Sequence, residues 1–401
     1  MFKMMLKMLV FVSCSAVLFG CGSGDRAGGS GGDAAGVDGV SDTEIVLGTH
    51  TDLSGPIATW GTGVVNGARM RFDEANAAGG VHGRSIRYVV EDTQYQVANA
   101  IRAANKLLNR DKIFAMVLAV GTPTNNAVMA SQFEKGVPNL FPVTGSRSMV
   151  EPFQRLMFTQ RGIYYDEIRA ALRHFVGQGR HTPCAMYQDT DYGQEILEAA
   201  RDQAEEMGMT LAATSAHKPD ESEFTAAILR LRNAGCDLVL MGTVHRDTIL
   251  VLETARKMGW DDVIWVGNNA AYGQVIADQD SGSGNGYHAF VHMAQLYEDG
   301  DMTPEVASWY QRYVERFGSV PELFAMEGYR GADLTVKALE LAGRELTREK
   351  LIAALESIDD YTDIFGYAIA FGPDDHKGVG QSGLAVIRDG RWVMLEESIS
   401  Y

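Results

Sequence analysis

Two short stretches set hydroxyls, backbone N–H groups and glycine side by side, a combination suited to gripping a small acceptor-rich molecule. Val120 to Asn125 reads VGTPTN. An apolar strand ends there and a helix begins behind Gly121, Thr122 and Pro123. The first N–H groups of a helix lack intrahelical partners, so together with threonine hydroxyls they suit a carboxylate or another acceptor. The same residues also read as an ordinary helix start capped by Thr122 or Thr124. Val143 to Ser146, VTGS, is the second stretch: Thr144 offers a hydroxyl and an N–H, and Gly145 permits close backbone approach. An ordinary turn fits it equally. Trp60 and Tyr192 each follow a loop rather than a helical stripe, and such rings give a pocket area and fixed shape.

Chemistry of bond-breaking kinds is missing from the pattern. There is no Ser-His-Asp elbow, no P-loop and no metal-spaced histidine set. GSGNG at Gly282 to Gly286 lacks the strand-to-helix setting of a dinucleotide loop. The expectation is therefore that the chain is not an enzyme and carries no cofactor or metal. The formal charge of -17 argues against nucleic acid, since phosphate binding needs a basic face.

The elements that must hold these residues follow from periodicity. From Glu44 onward, short apolar runs alternate with amphipathic stretches. Strands are expected at Ile45–Gly48, Ile86–Val90, Phe114–Val120 and from Pro138 to Phe141. Between and after them come helices around Val64–Ala75, Val97–Leu108 and Thr124–Glu134. Strand–helix–strand order implies right-handed crossovers and a parallel sheet. The pattern restarts at Tyr165: helices are expected at Tyr165–Val176, Ile196–Met207, Phe224–Asn233 and Thr248–Met258, with strands at Cys184–Tyr187, Leu211–Ser215, Leu238–Met241 and Val263–Gly267. After an apolar run at Tyr287–Met293, three more helices are expected at Pro304–Phe317, Leu323–Ala342 and Arg348–Ser357. Strands near Ile369, Leu384–Arg388 and Trp392–Leu395 close the chain, the last two joined at an Asp389-Gly390 turn.

The amino terminus is of another kind. Lys3 and Lys7 precede an apolar run from Leu9 to Phe19, too short to span a bilayer and about right for a signal peptide. LFGC, Leu18 to Cys21, resembles a bacterial lipobox, in which the cysteine is lipidated and becomes the mature N-terminus; Phe19 departs from the smaller residue usual there. The expected plan is a signal peptide over 1–20 and a lipidated flexible tether over 21–41, rich in glycine, serine and aspartate. Cys184 and Cys236 each begin an expected strand; a disulfide between them and two buried thiols are both open.

Ser54 to Gly83, SGPIATWGTGVVNGARMRFDEANAAGGVHG, closely resembles the opening of the leucine/isoleucine/valine-binding protein family, the type I periplasmic binding proteins. A Ser-Gly-Pro turn, an aromatic-Gly pair, an Asn-Gly-Ala helix and an Asn-x-x-Gly-Gly turn follow a strand in the family order. YQDTDYG at Tyr187–Gly193 and the stretch Phe224–Gly242 extend the resemblance over roughly Glu44 to Glu396. It implies an α/β fold of two doubly wound parallel-sheet lobes joined by three crossovers, lobe 1 over 42–162 and 294–362 and lobe 2 over 163–293 and 363–397. Ligand would lie in the cleft at the carboxyl ends of strands.

The resemblance also implies which residues would meet a ligand. Gly121 and Thr122 match a turn that holds the ligand's carboxylate, and Thr144 and Gly145 match a turn that contacts the ligand. Trp60 and Tyr192 match flanking aromatics, Tyr164 (chosen over Tyr165) falls at the first crossover, and Thr243 and His245 end a cleft strand, with His245 or Arg246 in place of a family tyrosine. Amino-acid-binding members carry an acid where Asn268 and Asn269 stand. A neutral amide cannot neutralise a buried ammonium. The implied ligand is thus a small organic acid or a neutral polar molecule rather than a standard amino acid. The implied role is the solute-binding component of an ABC transporter, a monomer working with an inner-membrane permease, on the periplasmic or cell-surface side and touching the membrane through Cys21 only. The alternative is a regulatory or sensory lipoprotein that uses the same fold as a receptor.

Overall fold

The apolar runs become one parallel and one mostly parallel sheet in a computed structural model, which describes residues 37–399. The expected signal peptide, Cys21 and most of the tether lie outside those residues.

The first sheet opens with β1 (Glu44–Thr51), followed by α1 (Ala58–Ala77), β2 (Ser85–Asp92), α2 (Val97–Asn109), β3 (Ala115–Val117), α3 (Thr122–Glu134), β4 (Asn139–Leu140) and β5 (Met157–Phe158). Its order is β2-β1-β3-β4-β5, parallel throughout. β1 is buried from Ile45 to Thr51, as a strand covered by helices on both faces must be. The expected strand Phe114–Val120 is cut to three residues in the ladder. Leu118 takes a left-handed φ of 63°, and pairing resumes only as a single bridge between Val120 and Val143.

The chain then enters the second sheet through α4 (Tyr164–Gly177), β6 (Pro183–Gln188), α5 (Asp191–Glu206), β7 (Thr214–His217), α6 (Thr225–Asn233), β8 (Leu238–Gly242), α7 (His245–Lys257), β9 (Ile264–Gly267), the single turn α8 (Gln274–Ala277) and β10 (His288–Val291). Three helices return to the first lobe: α9 (Pro304–Phe317), α10 (Leu323–Ala342) and α11 (Arg348–Glu356). They are followed by the small ribbon of β11 (Tyr361–Thr362) and β12 (Ala368–Ile369), and then by β13 (Ser382–Arg388) and β14 (Arg391–Ile399). The second sheet runs β14-β13-β10-β9-β8-β6-β7, with β13 and β14 antiparallel. Asp389 and Gly390 both have positive φ in the hairpin between them, the geometry that suits the twist of such strands. The strand expected over Leu211–Ser215 is displaced to Thr214–His217, because its pairing with β6 begins only where Thr214 meets Ala185.

Two features of this frame position the cleft. The first is the packing of α1 on α10. A Cβ on Gly67 would lie 2.0 Å from Ala325 O, and one on Gly328 2.1 Å from Val64 O. Only paired glycines let these backbones meet, and the meeting sets Trp60 parallel to Phe324, ring centroids 4.7 Å apart. The second is the set of three passages between sheets. The third lies after Lys377, where a boundary at 362/363 was expected: Thr159 bridges Lys377, and Phe371 packs on Phe141 and Phe158 of the first lobe.

Cys184 and Cys236 are joined by a disulfide, their Cα atoms 5.9 Å apart, which resolves the alternative left open by the spacing.

Candidate ligand cleft between the lobes

The residues singled out at the strand ends converge on one buried region between the lobes. Thr122 and Thr144, from separate turns, share a hydroxyl–hydroxyl hydrogen bond of 2.7 Å. Gly121, the residue preceding α3, has a φ of 97° that glycine alone adopts without strain. Gly145 admits no side chain: a Cβ would fall 2.1 Å from Gly162 O and 2.8 Å from Tyr164 Cε1. Tyr164 turns inward, 1% exposed, and its hydroxyl accepts from Arg161 Nη1 at 3.2 Å. Tyr165 packs the other way, donating to Asp202 beneath the Arg147 guanidinium.

On the second lobe, Tyr192 meets Tyr164 edge-on at 5.4 Å, donates to Thr243 O at 3.1 Å and accepts from Asn268 Nδ2 at 3.0 Å. The Thr243 hydroxyl is 2.6 Å from that of Thr248. His245 closes the group. Its Nδ1 accepts from Trp60 Nε1 of the opposite lobe at 3.1 Å, and its Nε2–H donates to Tyr272 O at 3.1 Å. Burial lowers its pKa to about 3, so the ring is neutral. Gly273 makes room for it, since a Cβ there would stand 2.2 Å from His245 Cε1. Arg246, the other candidate at this strand end, points to the cleft mouth, donates to Glu221 O and lies 3.4 Å from Asp247.

Asn269 occupies a different setting. Its backbone N–H and its Nδ2 each donate to Glu167 at 2.8 Å, and Nδ2 also donates to Gly162 O at 2.9 Å. Glu167 accepts a further bond from Ser382. Burial raises the Glu167 pKa to about 7 in spite of these donors. The sequence reasoning missed this carboxylate. Its signal was an acid among the apolar positions Ile168, Ala171 and Phe175 of α4, the buried face. It also missed Arg161 and Glu327, both fully buried and paired at 2.8 Å. Burial alone would raise the Glu327 pKa, but Arg161 and then His292, whose Nε2 donates at 2.7 Å, lower it overall. The Arg161 guanidinium lies 5.7 Å from the Trp60 ring and 5.5 Å from Phe324.

Other contacts tie the lobes across the cleft. Asn126 donates to Asp191 at 2.8 Å, Ser146 and the Arg147 N–H donate to Glu195, and Arg147 pairs with Glu198 at 3.0 Å. Outward of the inner residues, both lobes line an open-mouthed cavity of about 450 Å³. Among the described residues no group of three or more histidines, cysteines or acids is placed to hold a metal. No described helix is long and apolar enough to cross a membrane.

Residues 44–391 match the profile of the family described as "Periplasmic binding protein". The chain belongs to that family. Among curated relatives, this binding protein is similar to "Leu/Ile/Val-binding protein homolog 8" of Brucella abortus (strain 2308), 23% identical over 354 residues, covering 83% of this chain and 86% of the relative. Among solved structures it is similar to a branched chain amino acid ABC transporter from Thermus thermophilus with bound valine, with a TM-score of 0.80, 19% identity, and coverage of 90% and 98%. It is also similar to a fatty acid ABC transporter substrate-binding protein from Thermomonospora curvata, with a TM-score of 0.80, 21% identity, and coverage of 91% and 94%. At these identities the structural likeness establishes the fold: the α/β two-lobed arrangement of type I periplasmic binding proteins, joined by three crossovers.

Proposed function

We propose that this binding protein is the extracytoplasmic solute-binding component of an ABC transporter, anchored by a lipid on Cys21, acting as a monomer, and handing its ligand to an inner-membrane permease. Its ligand is a small organic acid or a neutral polar molecule, not a standard amino acid, held between Trp60, Gly121, Thr122, Thr144, Gly145, Tyr164, Tyr192, Thr243, His245, Asn268 and Asn269. The named relatives span a valine-bound protein and a fatty acid transporter component, so the fold leaves the ligand open. The choice rests on this chain's own cleft.

The observation that carries the reading is the state of Glu167. It is the buried carboxylate beside the Asn268–Asn269 turn, and both its oxygens are already taken by Asn269 and Ser382. An ammonium would have to displace those donors and still be neutralised in a dry site, at a cost of several kcal/mol. An acid asks less: the Thr122 and Thr144 hydroxyls can turn toward it, and the start of α3 offers N–H groups.

The test is thermal-shift screening of the mature chain against a metabolite library, followed by calorimetry. Acids or neutral polar molecules should raise the melting temperature by mass action. Tight binding of leucine or valine, with none of the simple acids or amides, refutes the ligand assignment.

A further inference from the structure

The cavity at the cleft mouth has a chemistry that the inner cleft lacks. Its walls come from both lobes and include Pro56, Val97 and Pro123 of the first and Pro219 of the second. Three proline rings present no N–H, so this wall offers carbon rather than donors. Val97 is 42% exposed at the first turn of α2, a large apolar group left facing the opening.

Tyr95 forms the floor. Gln94 and Tyr95 are consecutive non-glycine residues with φ of 54° and 56°. Each left-handed residue costs about 1–2 kcal/mol, and the pair swings the Tyr95 ring over the start of α3. A Cβ on Gly121 would meet Tyr95 Cε2 at 2.8 Å, so the ring lies directly on that glycine. Tyr95 is 9% exposed, and its hydroxyl makes no hydrogen bond to the described residues. Burial, and then the neighbouring Tyr164, hold that hydroxyl far above the ordinary phenol pKa, so it remains a neutral donor. The cation at the rim is engaged: Arg246 donates to the Glu221 backbone carbonyl and lies against Asp247. The compartment thus has a wall of three prolines and Val97, the Tyr95 hydroxyl in its floor, and a polar rim of Gln94, Gln96, Thr190 and Asp220.

Its size sets the class of occupant. A cavity of about 450 Å³ is roughly three times one that accommodates benzene. A branched-chain side chain would leave most of it empty. Pro123 lines it and is the residue after Thr122, so the compartment begins where the inner hydroxyl turn ends.

We propose that this outer compartment receives the uncharged, apolar body of the ligand, a chain of roughly eight carbons or a substituted aromatic ring. The acid head lies at the Thr122–Thr144 turn, and the Tyr95 hydroxyl is available to an acceptor on the body. The inference rests on the proposed placement of an acid in the cleft, and it adds the size and apolarity of what that acid carries.

A homologous series separates the two claims. Straight-chain monocarboxylates from acetate to decanoate are titrated into the mature chain by calorimetry. The dissociation constant should tighten about threefold to fourfold per methylene until the compartment is full, then level off. In Val97→Asp, at an exposed position that tolerates polar residues, the ratio of octanoate to butyrate affinity should fall at least tenfold. Tyr95→Ala should lower the same ratio. Binding of short acids with no gain from added methylenes overturns the compartment and leaves the acid assignment standing. A Val97→Asp ratio equal to that of the unaltered protein also overturns the compartment. Failure of every acid to bind overturns both.

Discussion

Trp60 Nε1 donates to His245 Nδ1 across the cleft at 3.1 Å, joining the first turn of α1 to the first residue of α7. Each ring is held on its own side as well. Trp60 stacks on Phe324, and His245 spends its other nitrogen on Tyr272 O. The bond requires Nδ1 to be a bare acceptor, and the low pKa of His245 keeps it so. One neutral imidazole therefore reports whether the lobes are together.

Trp60→Phe should loosen that junction without dismantling α1. Phenylalanine keeps the contact with Phe324 but leaves a buried acceptor on His245 unpaired, a loss of about 1–3 kcal/mol to the closed arrangement. Small-angle scattering of the unliganded variant should show a larger radius of gyration than the parent. A double-mutant cycle with His245→Phe should give a coupling of about 1 kcal/mol. Unchanged scattering and a coupling near zero would mean the bond does not hold the lobes.

Asn269→Ala should act on stability as well as on binding. The substitution strips Glu167 of one donor, the side-chain Nδ2, and leaves Gly162 O without its side-chain partner. The backbone N–H of residue 269 survives, so the net loss should be about 2–4 kcal/mol, read as a fall in the urea midpoint at constant slope. A change below about 0.5 kcal/mol would remove the amide from the structural role given to it here.

Much of this was legible from local pattern, and the rest was not for definable reasons. The expected bounds of α9 and α10 coincide with the observed ones because end signals are local: the Thr303 hydroxyl accepts from Val306 N–H at the start of α9, and Gly318 and Gly343 end α9 and α10 with φ of 68° and 78°. Motif resemblance, which carries spacing from one chain to another, named residues that the structure brings together between the lobes; their contact with a ligand is the proposal made above. Tyr95, Arg161, Glu167 and Glu327 were missed because their roles are made by partners far away in sequence. Glu327 meets Arg161 across 166 positions of chain, and the Tyr95 ring finds Gly121 only because two residues accept a left-handed backbone. The shortening of β3 has the same origin, a single positive φ at Leu118 that no propensity announces.

Removing the disulfide should weaken the second lobe measurably. The cross-link between Cys184 and Cys236 closes 52 residues of chain, which in the chain-entropy model corresponds to about 4 kcal/mol. The double variant Cys184→Ala, Cys236→Ala should lose stability on that scale in urea unfolding, and the parent should resist mild reductant because Cys184 has no exposed surface. Equal midpoints for parent and double variant would show that the link adds nothing.

Stability should peak near pH 7 and fall steeply in acid. Burial lowers the pKa of His50, His288 and His292 to about 4 and that of His245 to about 3. Between pH 6.5 and 4 the unfolded chain therefore takes up protons that the folded chain refuses, and stability is lost as pH falls. Glu167 and Glu195 work in the opposite sense. Burial raises both to about 7, so their contribution is fullest at low pH and is lost as pH rises toward 7. Between pH 4.5 and 6.5 four histidines outweigh two glutamates by two protons, a slope of at most about 3 kcal/mol per pH unit. At pH 6.5 half of the unfolded imidazoles are still charged, so the slope falls to zero only near pH 7, where the two sets balance, and is slight above it. Urea midpoints at pH 4.5, 5.5, 6.5 and 7.5 measure this directly. Midpoints that climb steadily from pH 6.5 down to 4.5 would mean the buried imidazoles are not the neutral, dry groups the packing makes them, and the neutral His245 on which the Trp60 junction depends would go with them.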